Sequence, residues 1–249
     1  HDCAIFEHPE WFPQSWLKRQ LTTHLFLRGL RSAPHIFAVS QCAGREIEVL
    51  LPSSRGRITV TGQGIASSPF KNGDRPVTSS YALVLGSTER RKNVDFIISW
   101  WSALQQRLAP ETLSLVIAGP HGWDEDQRKV HHPSIIRLAM VTDHERDNLL
   151  CHATMILIPS LHEGFSRVAL EGMSWGIPVL TSDRGALPEV VGDGGMVIPL
   201  NPEAWMSAIE MVVRDSDVRE ALKRRALERS KVFSWTKTAQ IMLAKISSP

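Results

Sequence analysis

Glu163 and Glu171 are acidic residues eight positions apart, and their type and spacing suit the binding of hydroxyl groups. They follow a short apolar run, and in a parallel sheet the loop after a strand lies at the carboxyl edge, where ligands bind. Between them, Gly164 lets the backbone approach a ligand closely. The amides of Gly164, Phe165 and Ser166 would open a helix whose positive end attracts phosphate. The segment therefore predicts a site for a ligand with both hydroxyl groups and phosphate.

The spacing of the two carboxylates sets the size of that ligand. A helix rises about 1.5 Å per residue, which places Glu163 and Glu171 roughly 10 Å apart. A nucleoside diphosphate sugar spans this distance, with hydroxyl groups on its sugar and ribose and the diphosphate between them. Each charge-assisted hydrogen bond contributes about 1.5 to 3 kcal/mol. From spacing alone, however, a helix-terminal charge and a solvated helix residue are the simpler explanation of the pair.

Three basic residues, Arg90, Arg91 and Lys92, follow another apolar run, at residues 81–85. Two cations at the end of a strand can neutralise a diphosphate without a metal ion. A solvated charge run before a helix is the alternative for these residues. The histidines lack metal-ligand spacing, and residues 124–126, which contain Asp-x-Asp, are interpreted as the start of a short helix. We therefore predict no metal site.

The elements that must position these residues are short apolar runs alternating with stretches of helical period. Continuous runs of this kind are typical of strands buried on both faces of a parallel sheet. The runs are residues 81–85, 113–118, 135–141, 155–158, 178–181 and 196–198. Helix starts are indicated by the capping box of Thr142 and Glu145 and by Asn201 before Pro202. The pattern predicts an α/β fold with one complete Rossmann-like parallel-sheet domain.

Upstream of that domain, residues 36–39 and 58–61 predict two strands of a second sheet, with a helix from residue 41 to about 51 that Ser40 starts. Two parallel strands cannot bury a full core, so this part is interpreted as a partial second Rossmann-like domain. Because the chain opens on His1 rather than Met, we expect a fragment. The predicted boundaries are a partial amino-terminal, acceptor-side domain (1–66), a linker (67–80), a nucleotide-sugar domain (81–232) and a carboxyl-terminal helix (233–249).

Composition excludes several classes of function. The chain has 28 Lys+Arg and 26 Asp+Glu, a net charge of +2 that argues against nucleic acid as the main partner. No apolar stretch approaches the roughly 20 residues of a membrane-spanning helix. Three widely spaced cysteines suggest no disulfide framework, which favours a reducing, cytoplasmic location. A predicted helix over residues 11–30 carries leucines and basic residues without an acid, which suits either the inner face of an anionic membrane or packing on a core.

The sequence around the two glutamates resembles the retaining glycosyltransferases of the GT-B fold, family 4, whose signature is Glu-x7-Glu. The resemblance rests on Pro159-Ser160-Leu161-His162-Glu163-Gly164-Phe165 and on Gly176-Ile177-Pro178 after Glu171. It extends to Arg91-Lys92-Asn93, to Phe233-Ser234-Trp235 and, at the other end, to His1-Asp2 and His8-Pro9-Glu10-Trp11. It covers essentially the whole chain and implies that the earlier part of the amino-terminal domain lies outside it.

That resemblance implies a role for each site residue. Glu163 would bind the donor sugar, Glu171 the ribose hydroxyls, and Lys92 with Arg91 the diphosphate, while His1 would lie close to the transferred sugar. The catalytic set is then Glu163, Lys92, Arg91 and His1. The donor-binding set is Glu171, Gly164, Phe165, Ser166, Met140, Val141 and Leu170, of which Met140 and Val141 fall at the family's base pocket.

The implied function is transfer of a sugar, with retention, from a nucleoside diphosphate sugar to a hydroxyl of a glycan or lipid-linked acceptor. Neither a cofactor nor a metal is expected, and the donor would be linked to GDP or UDP. The flanking pattern looks most like the mannosyltransferase-like branch that builds bacterial surface polysaccharide. An alternative is a non-catalytic, glycosyltransferase-like fragment that binds nucleotide or a partner chain, and the truncated chain is expected to transfer sugar poorly. A nicotinamide-dependent dehydrogenase also suits the fold, but residues 86–90 are not Gly-x-Gly-x-x-Gly.

Overall fold

A computed structural model describes residues 2–65, 74–120, 122 and 132–247 as two parallel sheets with helices packed around them. The smaller sheet has two strands and the larger has six. The strands are β1 (Ile36–Ala38), β2 (Ile58–Val60), β3 (Tyr81–Leu85), β4 (Ser114–Ala118), β5 (Ile135–Leu138), β6 (Met155–Ile158), β7 (Val179–Ser182) and β8 (Met196–Ile198). The predicted α/β class and parallel sheets are confirmed.

The strand order of the larger sheet is β5-β4-β3-β6-β7-β8, and every neighbouring pair is parallel. The chain adds β4 and β5 on one side of β3 and then returns to add β6 on the other side. The order therefore reverses between β3 and β6. In open α/β sheets, the crevice beyond the carboxyl ends of the strands at such a reversal is where ligands bind.

Ten helices are described outside the 3₁₀ turns of these ranges, and most begin at a residue that caps them. They are α1 (Ala4–Glu7), α2 (Trp16–Ser32), α3 (Gln41–Leu50), α4 (Val94–Leu108), α5 (Asp143–His152), α6 (Arg167–Ser174), α7 (Leu187–Val191), α8 (Pro202–Arg214), α9 (Ser216–Ser230) and α10 (Trp235–Ile246). The predicted caps at Ser40 and Asn201 and the box of Thr142 with Glu145 are confirmed, and Ser234 caps α10. A capping side chain contributes typically about 1 kcal/mol.

The core fills both faces of the larger sheet. On one face, α4 buries an apolar stripe, with Ile97, Trp101 and Leu104 fully buried, and α8 adds Trp205. On the other face, α5, α6 and α7 pack their apolar residues on β3 and β6. Because both faces are covered, the strands are apolar throughout, which explains why their pattern does not alternate.

The two sheets are joined by polar contacts at the amino terminus of α3. The Glu189 carboxylate accepts hydrogen bonds from the amides of Gln41, at 2.8 Å, and Cys42, at 3.2 Å. The Ser40 hydroxyl donates to the Gly164 carbonyl at 2.6 Å. At the far end of the chain, α10 returns to the smaller sheet. The predicted domain boundaries remain predictions, and residues 66–73 of the predicted linker lie outside the described part.

Two predicted boundaries differ from the structure by several residues, whereas β1, β2, β4 and β7 differ by one residue at one or both ends. Strand β5 ends at Leu138 rather than residue 141, because its partner β4 ends at Ala118 and Gly119 then turns the chain at a φ of 145°. Helix α2 begins at Trp16, where the Ser15 hydroxyl accepts from a backbone amide, rather than near residue 11. Within the described ranges, every helix is too short or too polar to cross a bilayer.

Candidate functional site: a cleft at the strand reversal

A cleft of about 760 Å³ opens at the carboxyl ends of β3 and β6, where the strand order reverses. Its volume is within the usual range for a small-molecule site, about 300 to 1,000 Å³. Its walls come from both sheets. They are formed by Asp2, Val39, Gln63, Leu85, Gly86, Ser87, Arg91, Lys92, Ala118, Gly119, Pro120, Met140, Val141, Arg146, Glu163, Gly164, Phe165, Ser166, Arg167, Val168, Glu171 and Trp235.

Glu163 is held between two cations. Lys92 Nζ is 2.6 Å from Glu163 Oε1 and Arg91 Nη1 is 3.5 Å from Glu163 Oε2, while the Ser160 hydroxyl donates to Oε1 at 2.8 Å. The Glu163 side chain is only 7% exposed. Burial alone would raise the pKa of Glu163, but Lys92, Arg91 and Ser160 outweigh it and lower that pKa below its ordinary value. The carboxylate is therefore ionised at neutral pH.

The two cations are positioned by the loop after β3, which is bonded to the loop after β6. Arg91 and Lys92 lie on a 3₁₀ turn, Arg90–Lys92, and the Leu161 amide donates to the Arg91 carbonyl at 2.7 Å. Asn93 ends the turn in the left-handed conformation, and its side-chain amide donates to the Pro159 carbonyl at 3.1 Å. These bonds keep this basic turn beside the loop at residues 159–166, which carries Glu163 and is called the glutamate loop below.

Glu171 lines the same cleft from the second turn of α6. Burial raises the pKa of Glu171 above its ordinary value, although the charges of Arg146 and Arg167 oppose that shift. The two glutamates therefore differ, because Glu163 has cations in direct contact whereas the shift of Glu171 is dominated by burial. A ligand hydroxyl that donates to the Glu171 carboxylate would stabilise its ionised form.

The start of α6 lies between the two glutamates. Ser166 caps the helix, with φ at 79°, and its hydroxyl accepts from the Ala169 amide at 3.4 Å. The ring of Phe165 packs edge-to-face on Phe233 with the ring centroids 5.5 Å apart. Gly164, Phe165 and Ser166 all line the cleft, as does the start of a helix whose dipole favours an anion.

The remaining predicted site residues divide into three groups. Met140 and Val141 line the cleft. Leu170 does not, because it precedes Glu171 by one position and so faces about 100° away around α6, where it is buried in the core. His1 lies outside the described residues, whereas its neighbour Asp2 lines the cleft.

Several cleft residues were not predicted. Gly86 and Gly119 directly follow β3 and β4, so their position after a predicted strand was an available signal. Arg167 follows the predicted helix start by one residue. Arg146 lies on α5 directly after Glu145 of the capping box, and nothing in its local pattern indicates a ligand. Asp2 is brought to the cleft only by packing between the two sheets.

One group among the described residues has ligating atoms close enough together to suggest a metal site. The atoms of Glu7, Glu46 and His162 lie within 4.8 Å of one another. However, His162 Nε2 and Glu46 Oε1 are 2.7 Å apart, whereas two ligands about 2.0 to 2.1 Å from one tetrahedral zinc ion are about 3.3 Å apart. We therefore assign His162 and Glu46 to a hydrogen-bonded pair, with the Glu7 carboxylate nearby. The Asp-x-Asp segment, residues 124–126, lies outside the described residues.

Comparison with known proteins assigns the region of the larger sheet to a protein family. The profile of the family described as "Glycosyl transferases group 1" matches residues 79–215 of the 249. The chain belongs to this family. The matched range contains Lys92, Glu163 and Glu171, and it holds all six strands of the larger sheet together with the loops that form the basic turn and the glutamate loop.

A curated relative agrees with this membership, and two solved structures share the fold. The chain is 30% identical to the O-antigen chain mannosyltransferase B of Escherichia coli, over 94% of this chain and 65% of that protein. Among solved structures, it is similar to WaaG, a glycosyltransferase involved in lipopolysaccharide biosynthesis, with a TM-score of 0.75 and 16% identity, covering 100% of this chain and 74% of that one. Anabaena HepE, solved with UDP and glucose, gives a TM-score of 0.74 at 18% identity, covering 97% and 69%. The fold is of GT-B type. The chain spans 65% of the mannosyltransferase's length, which is less than two thirds.

Proposed function

We propose that this chain carries the donor site of a retaining, metal-independent glycosyltransferase. It would move a sugar from a nucleoside diphosphate sugar to a hydroxyl of a glycan or lipid-linked acceptor in bacterial surface polysaccharide synthesis. The observation that carries the proposal is that Glu163, Glu171, Lys92 and Arg91 all line one cleft at the strand reversal. In this arrangement Glu163 binds hydroxyls of the donor sugar and Glu171 binds the ribose. Lys92 and Arg91 bind the diphosphate, which lies between the sugar and the ribose.

The basic turn supports a role in the departure of the leaving group. When the bond between the anomeric carbon and the phosphate oxygen breaks, negative charge develops on the diphosphate. Lys92, Arg91 and the positive end of α6 are already in place to stabilise that charge, without reorganisation during the reaction. The acceptor oxygen bonds to the anomeric carbon on the same face, and its proton passes to the departing phosphate oxygen. Retention follows without a protein nucleophile or a cofactor.

The nature of the sugar and the acceptor rests on the relatives. One is named as an O-antigen chain mannosyltransferase, and another takes part in lipopolysaccharide biosynthesis. We therefore propose mannose as the first sugar to test, linked to GDP or UDP, and a surface glycan or glycolipid as the acceptor. At the other end of the donor, Met140 and Val141 line the cleft near the end of β5 and form the proposed base pocket.

Calorimetry with UDP, GDP and NAD tests the donor site. We expect one nucleoside diphosphate to bind and Glu171→Ala to weaken it by about tenfold or more, as expected when hydrogen bonds to a charged group are lost. Glu228→Ala, which removes an exposed carboxylate of α9, is the matched control. Binding of NAD alone would reject the proposal in favour of a dehydrogenase. Diphosphate binding without sugar transfer by the intact protein, across a donor panel, would favour the non-catalytic alternative.

The proposal includes peripheral contact with the inner face of the cell membrane. Helix α2 has no acidic residue, and Leu17, Leu21 and Leu25 lie four positions apart on one exposed row. Three exposed basic residues, Lys18, Arg28 and Arg31, lie on or beside this row, whereas Arg19 lies on the opposite face of the helix. Exposed apolar side chains beside cations match the boundary between anionic headgroups and acyl chains. Such contact would bring the cleft close to a lipid-linked acceptor.

A further inference from the structure

Helix α3 contacts the residues on both sides of Glu163. On one side, Glu46 accepts from His162, with Nε2 and Oε1 2.7 Å apart. On the other side, the Ser40 hydroxyl donates to the Gly164 carbonyl at 2.6 Å. The helix belongs to the smaller sheet and the glutamate loop to the larger one, so two hydrogen bonds across the sheet boundary hold the loop immediately before and after the carboxylate.

The partners of Glu46 are arranged to hold its carboxylate in place. The Cys3 amide donates to Oε2 at 3.0 Å, and the Cys42 thiol donates to Oε1 at 3.2 Å. Burial raises the pKa of the Cys42 thiol to about 12, so it remains protonated and able to donate. The side chains of Glu46 and His162 are about nine-tenths buried. A pair that is both buried and directed by fixed neighbours has little freedom to move.

The charges around His162 favour its protonated form. Three carboxylates act on the ring, those of Glu46 on α3 and of Asp2 and Glu7 on the amino-terminal segment. Burial alone would lower the pKa of His162, but the hydrogen bond and charge of Glu46, with the charges of Asp2 and Glu7, raise it above its ordinary value of about 6.5. The contribution of the pair to stability is therefore complete below about pH 6.5 and is lost as the pH rises through the folded-state pKa.

We propose that Glu46 and His162 form a clasp through which helix α3 positions Glu163 for donor binding. This inference rests on the proposed function, because it assigns Glu163 to the donor site. Neither Glu46 nor His162 lines the cleft, so we assign both as positioning residues. When His162 loses its proton, the attraction across the sheet boundary weakens, and the loop that carries Glu163 is held less firmly beside Lys92 and Arg91.

A nuclear magnetic resonance titration of the full chain tests the clasp without any substrate. The ring resonance of His162 and the carboxyl resonance of Glu163 are followed from pH 5 to 9 and are identified with His162→Gln and Glu163→Gln. We expect His162 to titrate above about 6.5 in the wild type and lower in Glu46→Gln. We also expect the Glu163 carboxyl resonance to respond to the His162 titration in the wild type alone. A Glu163 resonance that ignores the titration would overturn the proposal.

Donor affinity supplies the second readout. With whichever of UDP-sugar and GDP-sugar the wild type binds, we expect Glu46→Gln to weaken binding about tenfold at pH 6 and to have a smaller effect at pH 9, because His162 loses its proton as the pH rises. Glu48→Gln removes a charge from the same helix two positions away and should change neither readout. Thermal unfolding identifies a variant that fails to fold, and the wild-type titration then decides alone. A purely structural pair would lower stability in Glu46→Gln and leave affinity equal at both pH values.

The two proposals fail in different ways. If the wild type binds no nucleoside diphosphate, the proposed function is wrong, whereas the coupled titration of His162 and Glu163 still supports or rejects the clasp. If the donor binds but Glu163 does not follow His162, the donor site stands and the clasp is wrong.

Discussion

At the scale of single residues, the site depends on how one carboxylate is kept ionised in a buried position. Glu163 is predicted from its spacing to Glu171 and from its flanking sequence. Its ion pair with Lys92 joins residues 71 positions apart, so no local sequence pattern predicts it. The sequence of the basic turn by itself is also explained as a solvated charge run before a helix. Only the sheet topology, which puts β3 beside β6, brings the cations and the carboxylate together.

Lys92→Ala should weaken the binding of a nucleoside diphosphate much more than that of the nucleoside. The ammonium group interacts with phosphate charge, and a hydrogen bond between charged groups is worth about 1.5 to 3 kcal/mol, or roughly tenfold to a hundredfold in affinity. Calorimetry with both ligands measures the difference.

Arg90→Ala is the control for Lys92→Ala, because Arg90 lies on the same 3₁₀ turn and is exposed, and it does not line the cleft. It should cost far less diphosphate affinity. Equal losses of nucleoside and diphosphate affinity in Lys92→Ala would place the ammonium group outside the phosphate site.

At the scale of elements, the start of α6 is the strained part of the site. Ser166 has φ at 79° and ψ at 84°, a backbone conformation that residues other than glycine rarely adopt. Its capping hydrogen bond is also long, at 3.4 Å. Strained backbone of this kind is concentrated at binding sites, where the surrounding structure enforces it. Sequence patterns locate the helix start but contain no sign of the backbone angle.

Ser166→Gly should raise the free energy of unfolding by about 0.5 to 1 kcal/mol. Glycine adopts a positive φ without strain, which is worth about 1 kcal/mol, and a glycine cap costs only a few tenths of that. Unfolding in urea measures the change. Ser234→Gly, at a cap with φ of −148°, is the matched control and should be neutral or destabilising. A loss of stability in Ser166→Gly as large as in Ser234→Gly would show that the backbone at residue 166 is not strained.

At the scale of the whole molecule, the cleft is a product of both sheets. Most of its wall follows the strands of the larger sheet, whose bounds are largely predictable because buried parallel strands are continuous apolar runs; β3, β6 and β8 have the predicted ends. Contacts across the sheet boundary, such as those of Asp2 and Gln63 with the cleft, join segments far apart in sequence. Tertiary packing alone determines these contacts, and hydrophobic periodicity in the sequence does not predict them.

The exposed row of α2 should bind anionic membranes. Leu17 and Leu21 are 71% and 59% exposed, so both can enter the interface, and each nearby basic residue adds about 1 kcal/mol of attraction. We expect sedimentation with vesicles of phosphatidylglycerol, weaker sedimentation with phosphatidylcholine, and loss of both in Leu17→Gln/Leu21→Gln. Val49→Gln changes an apolar residue of α3 that is 78% exposed and should bind like the wild type. Vesicle binding that survives the double change would assign it to another surface.

The bonds of helix α3 to the larger sheet limit how this architecture can be recombined. Its amino-terminal amides donate hydrogen bonds to Glu189, and its Glu46 pairs with His162. Each of the two sheet regions therefore supplies hydrogen-bond partners to polar groups of the other. A hybrid made by fusing residues 74–247 to a foreign amino-terminal module would leave Glu189 and His162 facing a surface without their partners. Such hybrids should work best when the incoming module carries a serine and a glutamate at the positions of Ser40 and Glu46, and a library of grafted modules would be enriched for that pair.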